Sequence, residues 1–383
     1  MLNFLLYFFP FAMDIVVSLL LFVGRHSLAA NGASEFVVGS VPMFFGIGYF
    51  LSGPIMRAII SRKWAKVEMI ISIAILALLS VVLARIESVV AIQILFCLIP
   101  FSVSLFFNAF QIYMLGISND HARPLAVTLS IYTFAWSLGY GVGPFVIGLA
   151  RDFLTWSQSY YVSALSCLVI ALMVLAFRPP RPNPESKVDS PPEAESARPL
   201  LFVPGWIGVV IGLIGWTVIA TYWPIIAVSA GISPELKGIV EFCFAAAQAL
   251  AALALILLKD WQHRPYLLPF FGLVGVSALL TFGSGNAPLW FILGAAMMGC
   301  YTASTFLFSA FHCMLDAKMA SKRVAVNEMM VGLGYVLGPI LASALHGNGT
   351  PFFHSFALAA GLIAILVTIQ TGIALSIRRR SRI

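Results

Sequence analysis

Stretches of about twenty apolar residues follow one another from one end of this 383-residue chain to the other, separated only by short polar connections. As a helix, each such stretch rises about 30 Å, the thickness of the hydrocarbon core of a bilayer. A core surrounded by water cannot bury a dozen of them. Charged side chains make up 10% of the chain, against about 25% in soluble domains, so a water-soluble fold is excluded. The net charge of +7 does not point to nucleic acid, because the basic residues fall in short clusters between apolar runs and form no basic domain.

The runs predict helices near 2–23, 36–60, 66–84, 89–115, 125–149 and 157–177, then near 201–226, 234–258, 265–283, 288–313, 321–346 and 353–377. Between the two sets, residues 178–199 are rich in proline and charge and can bury nothing. They read as a linker joining an N-terminal six-helix bundle (1–177) to a C-terminal one (200–383). The expected fold class is therefore an all-α membrane protein of twelve transmembrane helices in two pseudo-symmetric bundles.

An internal repeat supports this division. Leu138-Gly-Tyr-Gly-Val-Gly-Pro144 matches Leu333-Gly-Tyr-Val-Leu-Gly-Pro339 at an offset of 195, with five of seven positions identical. The same offset carries each of the first six predicted helices onto one of the second six. Residues 1–30 accordingly read as a first span rather than a cleaved leader, since the seventh span needs its counterpart.

Sorted by connection, eighteen Lys and Arg residues fall on one side of the predicted layout. Arg25, Arg85, Arg151 and Lys237 fall on the other. Basic residues collect in short cytoplasmic loops, so both termini and the linker are expected in the cytoplasm. The shortness of the loops is of bacterial style and suggests a bacterial inner membrane.

Two six-helix halves, cytoplasmic termini, a polar central loop and a glycine-proline motif in the fifth helix together resemble the major facilitator superfamily of secondary transporters, over the whole chain. The segment from Gly139 to Gly148 resembles that family's fifth-helix motif, which is associated with efflux antiporters. Ala135, Gly139 and Gly143 lie on one helix face, as do Gly334, Gly338 and Ala342 in the other half, and such faces admit a close neighbour. Pro144 and Pro339 each remove a backbone donor and invite a bend. These faces are expected to serve either as tight helix packing or as a conformational seam on which the halves rock. The family's charged loop motif is altered here to Gly53-Pro-Ile-Met-Arg57 and Ser61-Arg62-Lys63, with Arg57 where an acid is expected.

Ionisable groups are costly inside a bilayer, so each one in a span is a functional candidate. Asp14 lies twelve residues into the first span, about 18 Å deep, near the midplane. Glu241 and Glu328 lie nearer to helix ends. An i, i+4 pair with Lys237 is the structural alternative for Glu241, and attraction toward the basic loop is the alternative for Glu328. The three acids are the candidates for proton coupling. By resemblance, helices one, four, seven and ten line a central cavity, with contributions from five and eight. The cavity candidates are Asn108, Gln111, Tyr132, Trp136, Trp216, Gln248, Tyr301 and Thr305, together with Asn327. Tyr222 and Trp223 read as interfacial anchors and His312 as solvated. No Lys or Arg is expected deep in a span, which disfavours multiply anionic solutes.

Five cysteines, all within apolar runs, suggest neither disulfides nor a zinc site. His346 and His354 share a loop without a third ligand, and no phosphate-binding G-x-x-x-x-G-K-[S/T] sequence occurs. No cofactor, metal or enzymatic activity is expected. The expected partners are a small-molecule substrate, protons and the lipid bilayer, with the chain a monomer. The leading expectation is a secondary transporter that exports a small organic solute in exchange for protons. The alternatives are an uptake permease for a sugar-like or amino-acid-like solute, and a non-transporting membrane sensor or scaffold.

The predicted topology has a direct check. A cysteine introduced at Ser190 should react with a membrane-impermeant thiol reagent only after cells are opened, and labelling from outside intact cells would overturn the cytoplasmic linker.

Overall fold

A computed structural model describes residues 2–61, 63–117, 124–177, 201–316, 319–345 and 351–380. The linker at 178–199, Arg62, Arg123, Lys318, His346 and Arg382 lie outside the described residues, as do the side chains of Arg57 and Gln111. Among the described residues, twelve helices are long and apolar enough to cross a membrane. We number them α1 (Leu2–Ala30), α2 (Glu35–Ile59), α3 (Ala65–Leu83), α4 (Val89–Ile117), α5 (Leu125–Ala150) and α6 (Trp156–Ala176), followed by α7 (Phe202–Ser229), α8 (Pro234–Ala254), α9 (Leu268–Gly283), α10 (Pro288–Met314), α11 (Ala320–Leu345) and α12 (Phe352–Arg380).

The repeat is visible in how helices end. α1 and α7 both stop at a glycine in the left-handed region, Gly32 (φ 74°) and Gly231 (φ 63°). In each case the next residue's N–H reaches back to close the last turn, Ala33 to Leu28 O and Ile232 to Ala227 O. Ser34 and Ser233 then occupy the N-cap positions of α2 and α8.

Packing repeats in the same way. Within the first half, α1 packs on α5 and α6, α2 on α4, and α3 on α4 and α6. In the second half, α7 packs on α11 and α12, α8 on α10, and α9 on α10 and α12. The halves meet where α5 runs along α8 and α2 along α11. α3, α6, α9 and α12 form the outside and present residues such as Leu78, Leu165, Leu273 and Ile365 outward. Apolar surface of that extent suits lipid and not water.

Glycine permits both kinds of contact, on different helix faces. Gly139 and Gly143 turn toward α1, where a Cβ on Gly143 would stand 2.5 Å from Ile15 O. Gly334 and Gly338 turn toward α7, where a Cβ on Gly338 would run into the Thr217 hydroxyl. These glycines therefore fasten helices within each half. The contacts between halves use the adjoining faces. Gly141 meets Ala245, and Gly238 approaches Pro144 O. Gly46 and Gly332 bring α2 against α11, with a Cβ on Gly46 only 2.6 Å from Gly332 O. Pro339 approaches Gly39 of α2. The contact between the halves thus lies one face over from the glycines of the repeated motif that were expected at a seam, while Pro144 and Pro339 stand at it.

Two boundaries differ from expectation. α1 continues seven residues beyond the expected end at 23, through Arg25 and His26, because a partner across the molecule takes up those polar groups. The segment 255–267 contains three short 3-10 turns and buries Trp261, where the runs predict a helix continuing to 258 and another starting at 265.

Gly143→Leu and Gly338→Leu should each lower the thermal unfolding midpoint in detergent or abolish recovery of folded protein, since overpacking against backbone costs about 1–3 kcal/mol or more. Gly361 meets nothing within 4 Å, so Gly361→Leu should behave like the parent. Equal melting of all three variants would remove the close-packing account.

Candidate functional site

The first aromatic contacts of the chain orient the molecule. Phe9 of α1 packs edge-on against Phe177 just beyond α6, with centroids 5.5 Å apart, so the start of α1 and the end of α6 share one face. We call this the near face and the opposite one the far face.

Between the halves lies a cavity bordered by eight helices: α1, α2, α4, α5, α7, α8, α10 and α11. Leu129, Met314 and Val324, all close to near-face ends of their helices, are among its lining residues. Its inner wall carries two acids, one from each half. Asp14 comes from α1 and is 7% exposed. Glu328 comes from α11, and its Oε2 accepts a hydrogen bond from Tyr49 OH of α2 at 2.8 Å. Among the described residues Asp14 makes no hydrogen bond or ion pair with protein, so its carboxyl faces the cavity unpaired.

Aromatic rings form much of the remaining wall. Trp216 of α7 stacks on Phe244 of α8 with centroids 3.5 Å apart and planes 8° from parallel. Trp136 of α5 meets Phe306 of α10 edge-on at 5.4 Å, across the divide between halves. The cavity ends at Tyr140 and Tyr335, whose hydroxyls approach to 3.5 Å. These two tyrosines occupy the same position in the repeated Leu-Gly-Tyr motif and meet on the pseudo-twofold axis, as a residue and its repeat partner must when both point inward.

Of the residues expected at the cavity, Tyr132, Trp136, Trp216, Gln248 and Asn327 line it, as do Asp14 and Glu328. Glu328 therefore faces the interior and not the basic loop. Asn327 is also tied locally, with Ser309 Oγ donating to its Oδ1 at 2.6 Å. Three expected positions are turned elsewhere. Tyr301 lies against Gly275 of α9, and Thr305 against Gly212 of α7, because α10 presents Phe306, Ala310 and Cys313 to the cavity. Asn108 spends its amide on Ser104 O, 2.8 Å away within α4. The side chain of Gln111 lies outside the described residues.

Tyr49, Thr133, Tyr140 and Tyr335 were not among the expected lining residues. The repeated tyrosines carried the signal, since an amphipathic residue shared by the two repeats of one chain suggests a common inward position. Two further expectations are corrected. His312 is fully buried, with Nε2 3.0 Å from Gln262 O. Tyr222 and Trp223 are buried rather than interfacial: Tyr222 donates to Ala342 O, and Trp223 packs on Phe282 and Phe291.

Toward the far face the halves are joined by charge. Arg25, 1% exposed, donates through Nη2 to Glu241 Oε2 at 2.8 Å, through Nη1 to Ala220 O at 2.9 Å, and through Nε to Leu21 O at 3.1 Å. His26 Nε2 lies 3.2 Å from Glu241 Oε1. One carboxylate of α8 thus engages two consecutive side chains of α1. This overturns two expectations: a buried arginine does exist, and Glu241 pairs across the halves and not with Lys237. Hydropathy hid the arrangement, because a charged pair at the end of an apolar run resembles the start of a loop. Neither residue borders the cavity.

Comparison with known proteins agrees with this architecture. A sequence model of the Major Facilitator Superfamily matches residues 2–206. The chain is 25% identical to the uncharacterized MFS-type transporter YfkF of Bacillus subtilis (strain 168) over 332 residues, covering 83% of this chain and 80% of that one. Among solved structures, the nucleoside transporter NupG is similar at a TM-score of 0.70 and 14% identity, covering 97% of this chain and 98% of that one. A point mutant of the same transporter is similar at 0.67 and 13%, covering 98% and 100%. Likeness at such identities concerns the fold.

Breaking a buried ion pair by removing one partner costs about 3–5 kcal/mol, because the remaining charge is stranded. Arg25→Met should therefore lower the melting temperature clearly, and adding Glu241→Met should recover part of the loss. An Arg25→Met protein that melts with the parent would show that the pair does not tie the halves.

Proposed function

The chain belongs to the Major Facilitator Superfamily, and from that premise we propose that it exports a small organic solute in exchange for protons. Family membership makes it a multi-pass membrane transporter and not an enzyme; direction and coupling are our reading. We place it in a bacterial cytoplasmic membrane with both termini in the cytoplasm, on the distribution of its basic residues.

The observation that carries this reading is Asp14. It is a buried carboxyl on the cavity wall with no protein partner among the described residues, and a carboxyl held this way can take up and release a proton as its access to water changes. Pro10 lies one turn earlier in α1 and frees the Leu6 carbonyl, which gives water and protons a local route along the helix. The cavity lining extends to residues at the near-face ends of α5, α10 and α11, and the Arg25–Glu241 pair joins the halves toward the far face. In alternating access this arrangement is one end state. Reaching the other requires Arg25 to leave Glu241 and the near-face ends of α5, α10 and α11 to converge. The likeness of the α5 motif to that of efflux antiporters favours export.

The test uses inside-out vesicles with an imposed proton gradient and a panel of labelled organic compounds. Any compound accumulated by the parent should be accumulated at least about tenfold less by Asp14→Asn, the scale of losing an interaction of about 1.4 kcal/mol, while downhill exchange persists. Accumulation by Asp14→Asn at the parental level, with unchanged pH dependence, would move the coupling role to Glu328. If the parent accumulates nothing from the panel and does not dissipate the gradient, the transport reading yields to a sensor or scaffold role.

A further inference from the structure

We infer that the cavity selects organic cations that carry an aromatic ring, with Asp14 of one half and Glu328 of the other supplying the countercharge. This deepens the carrier reading and rests on it, since it names what the same cavity binds.

The first ground is charge. Two carboxyls face the cavity, and among the described residues that line it none is Lys, Arg or His. Carboxylates in such a setting require a proton or a cation to offset the loss of water. The protein's own buried cations do not provide it. Arg25 is spent on Glu241, Ala220 O and Leu21 O, and the partly buried Arg323 does not line the cavity: it pairs through Nη2 with Asp316 at 3.1 Å and covers the Phe202 ring at 4.5 Å, its Nη1 having no hydrogen-bond partner among the described residues. The positive charge that the cavity lacks must therefore arrive with the ligand or with the proton that the ligand displaces.

The second ground is the availability of Asp14. Glu328 already accepts from Tyr49, whereas Asp14 is more than nine-tenths buried and has no protein partner among the described residues. It is the primary contact for an ammonium or similar group, and Glu328 sets the field from the opposite half.

The third ground is the wall. Trp136, partly exposed beside the buried Trp216–Phe244 stack, offers a ring surface that favours both flat apolar groups and cations. A sugar would need a dense set of amides and hydroxyls; the lining has two amides, Gln248 and Asn327, the Oδ1 of the latter engaged by Ser309, and Tyr49 is engaged by Glu328. A phosphorylated or carboxylate ligand would meet two acids and no fixed cation.

The closing experiment measures binding and not transport. The purified full chain is titrated with three probes of similar shape: benzyltrimethylammonium, its uncharged carbon isostere neopentylbenzene, and benzylsulfonate. Quenching of tryptophan fluorescence reports occupancy. Protection of Asp14 from dicyclohexylcarbodiimide, located by peptide mass analysis, reports position. The cation should bind at least about tenfold tighter than either isostere, a difference of roughly 1.4 kcal/mol, and should slow the labelling of Asp14. Asp14→Asn should reduce the affinity for the cation at least about tenfold and leave that for neopentylbenzene unchanged; Glu328→Gln should reduce it less. Equal binding of the three probes, preference for the uncharged or anionic one, binding of none, or no protection of Asp14 would overturn the assignment. The three-probe comparison on the parent protein decides the matter even where a variant does not fold.

The two readings fail separately. Proton-driven accumulation of uncharged compounds without cation binding would leave the carrier standing and remove the substrate class. Cation binding with protection of Asp14, in a parent that accumulates nothing from the panel and does not dissipate the gradient, would do the reverse.

Discussion

Hydrocarbon offers a polar group no hydrogen bond, and the internal arrangement of this protein follows from that constraint. Arg25 can occupy α1 only because Glu241 and two backbone carbonyls receive its donors. A charge so placed draws the halves together at one face without any hydrophobic drive, which lipid would not provide. The same constraint turns the remaining acids inward, onto the region where water or a ligand can reach them.

Close approach of backbones does the rest. Small residues on α5 serve two neighbours at once: Gly139 and Gly143 accept α1, while Gly141 accepts α8. α11 repeats the arrangement, with Gly334 and Gly338 against α7 and Gly332 against α2. A helix that is tight on one side to its own half and on the other to the opposite half can pass a shift at the cavity to both. A bulky residue on either face would push the pair apart.

The two cavity acids lie where the repeat is broken. At the offset of 195 that aligns the motifs, Asp14 corresponds to Val209 and Glu328 to Thr133, so each half contributes one acid from a different helix of the repeat. Tyr140 and Tyr335 are true equivalents and meet on the axis. Symmetry gives the scaffold two matching halves that can move against each other, and the unmatched acids give the cavity its charge.

Local properties of the chain were enough for much of this. Twelve spans follow from run length and bilayer thickness, the two-fold division from the repeated motif, and the interior position of Asp14 from its depth in α1. Glycine spacing marked the close-packed faces, whereas the end of α1 at Gly32, whose left-handed conformation closes the helix, was missed because Arg25 and His26 resemble the start of a loop. What spacing could not supply was the rotation of each helix about its axis. That rotation sends Tyr301 and Thr305 into neighbouring helices while bringing Tyr49 and Tyr335 to the cavity. Nor could it supply pairings between residues more than two hundred positions apart. Arg25 and Glu241 each look like a misplaced charge until the halves come together, because the energy that permits either one exists only in the presence of the other.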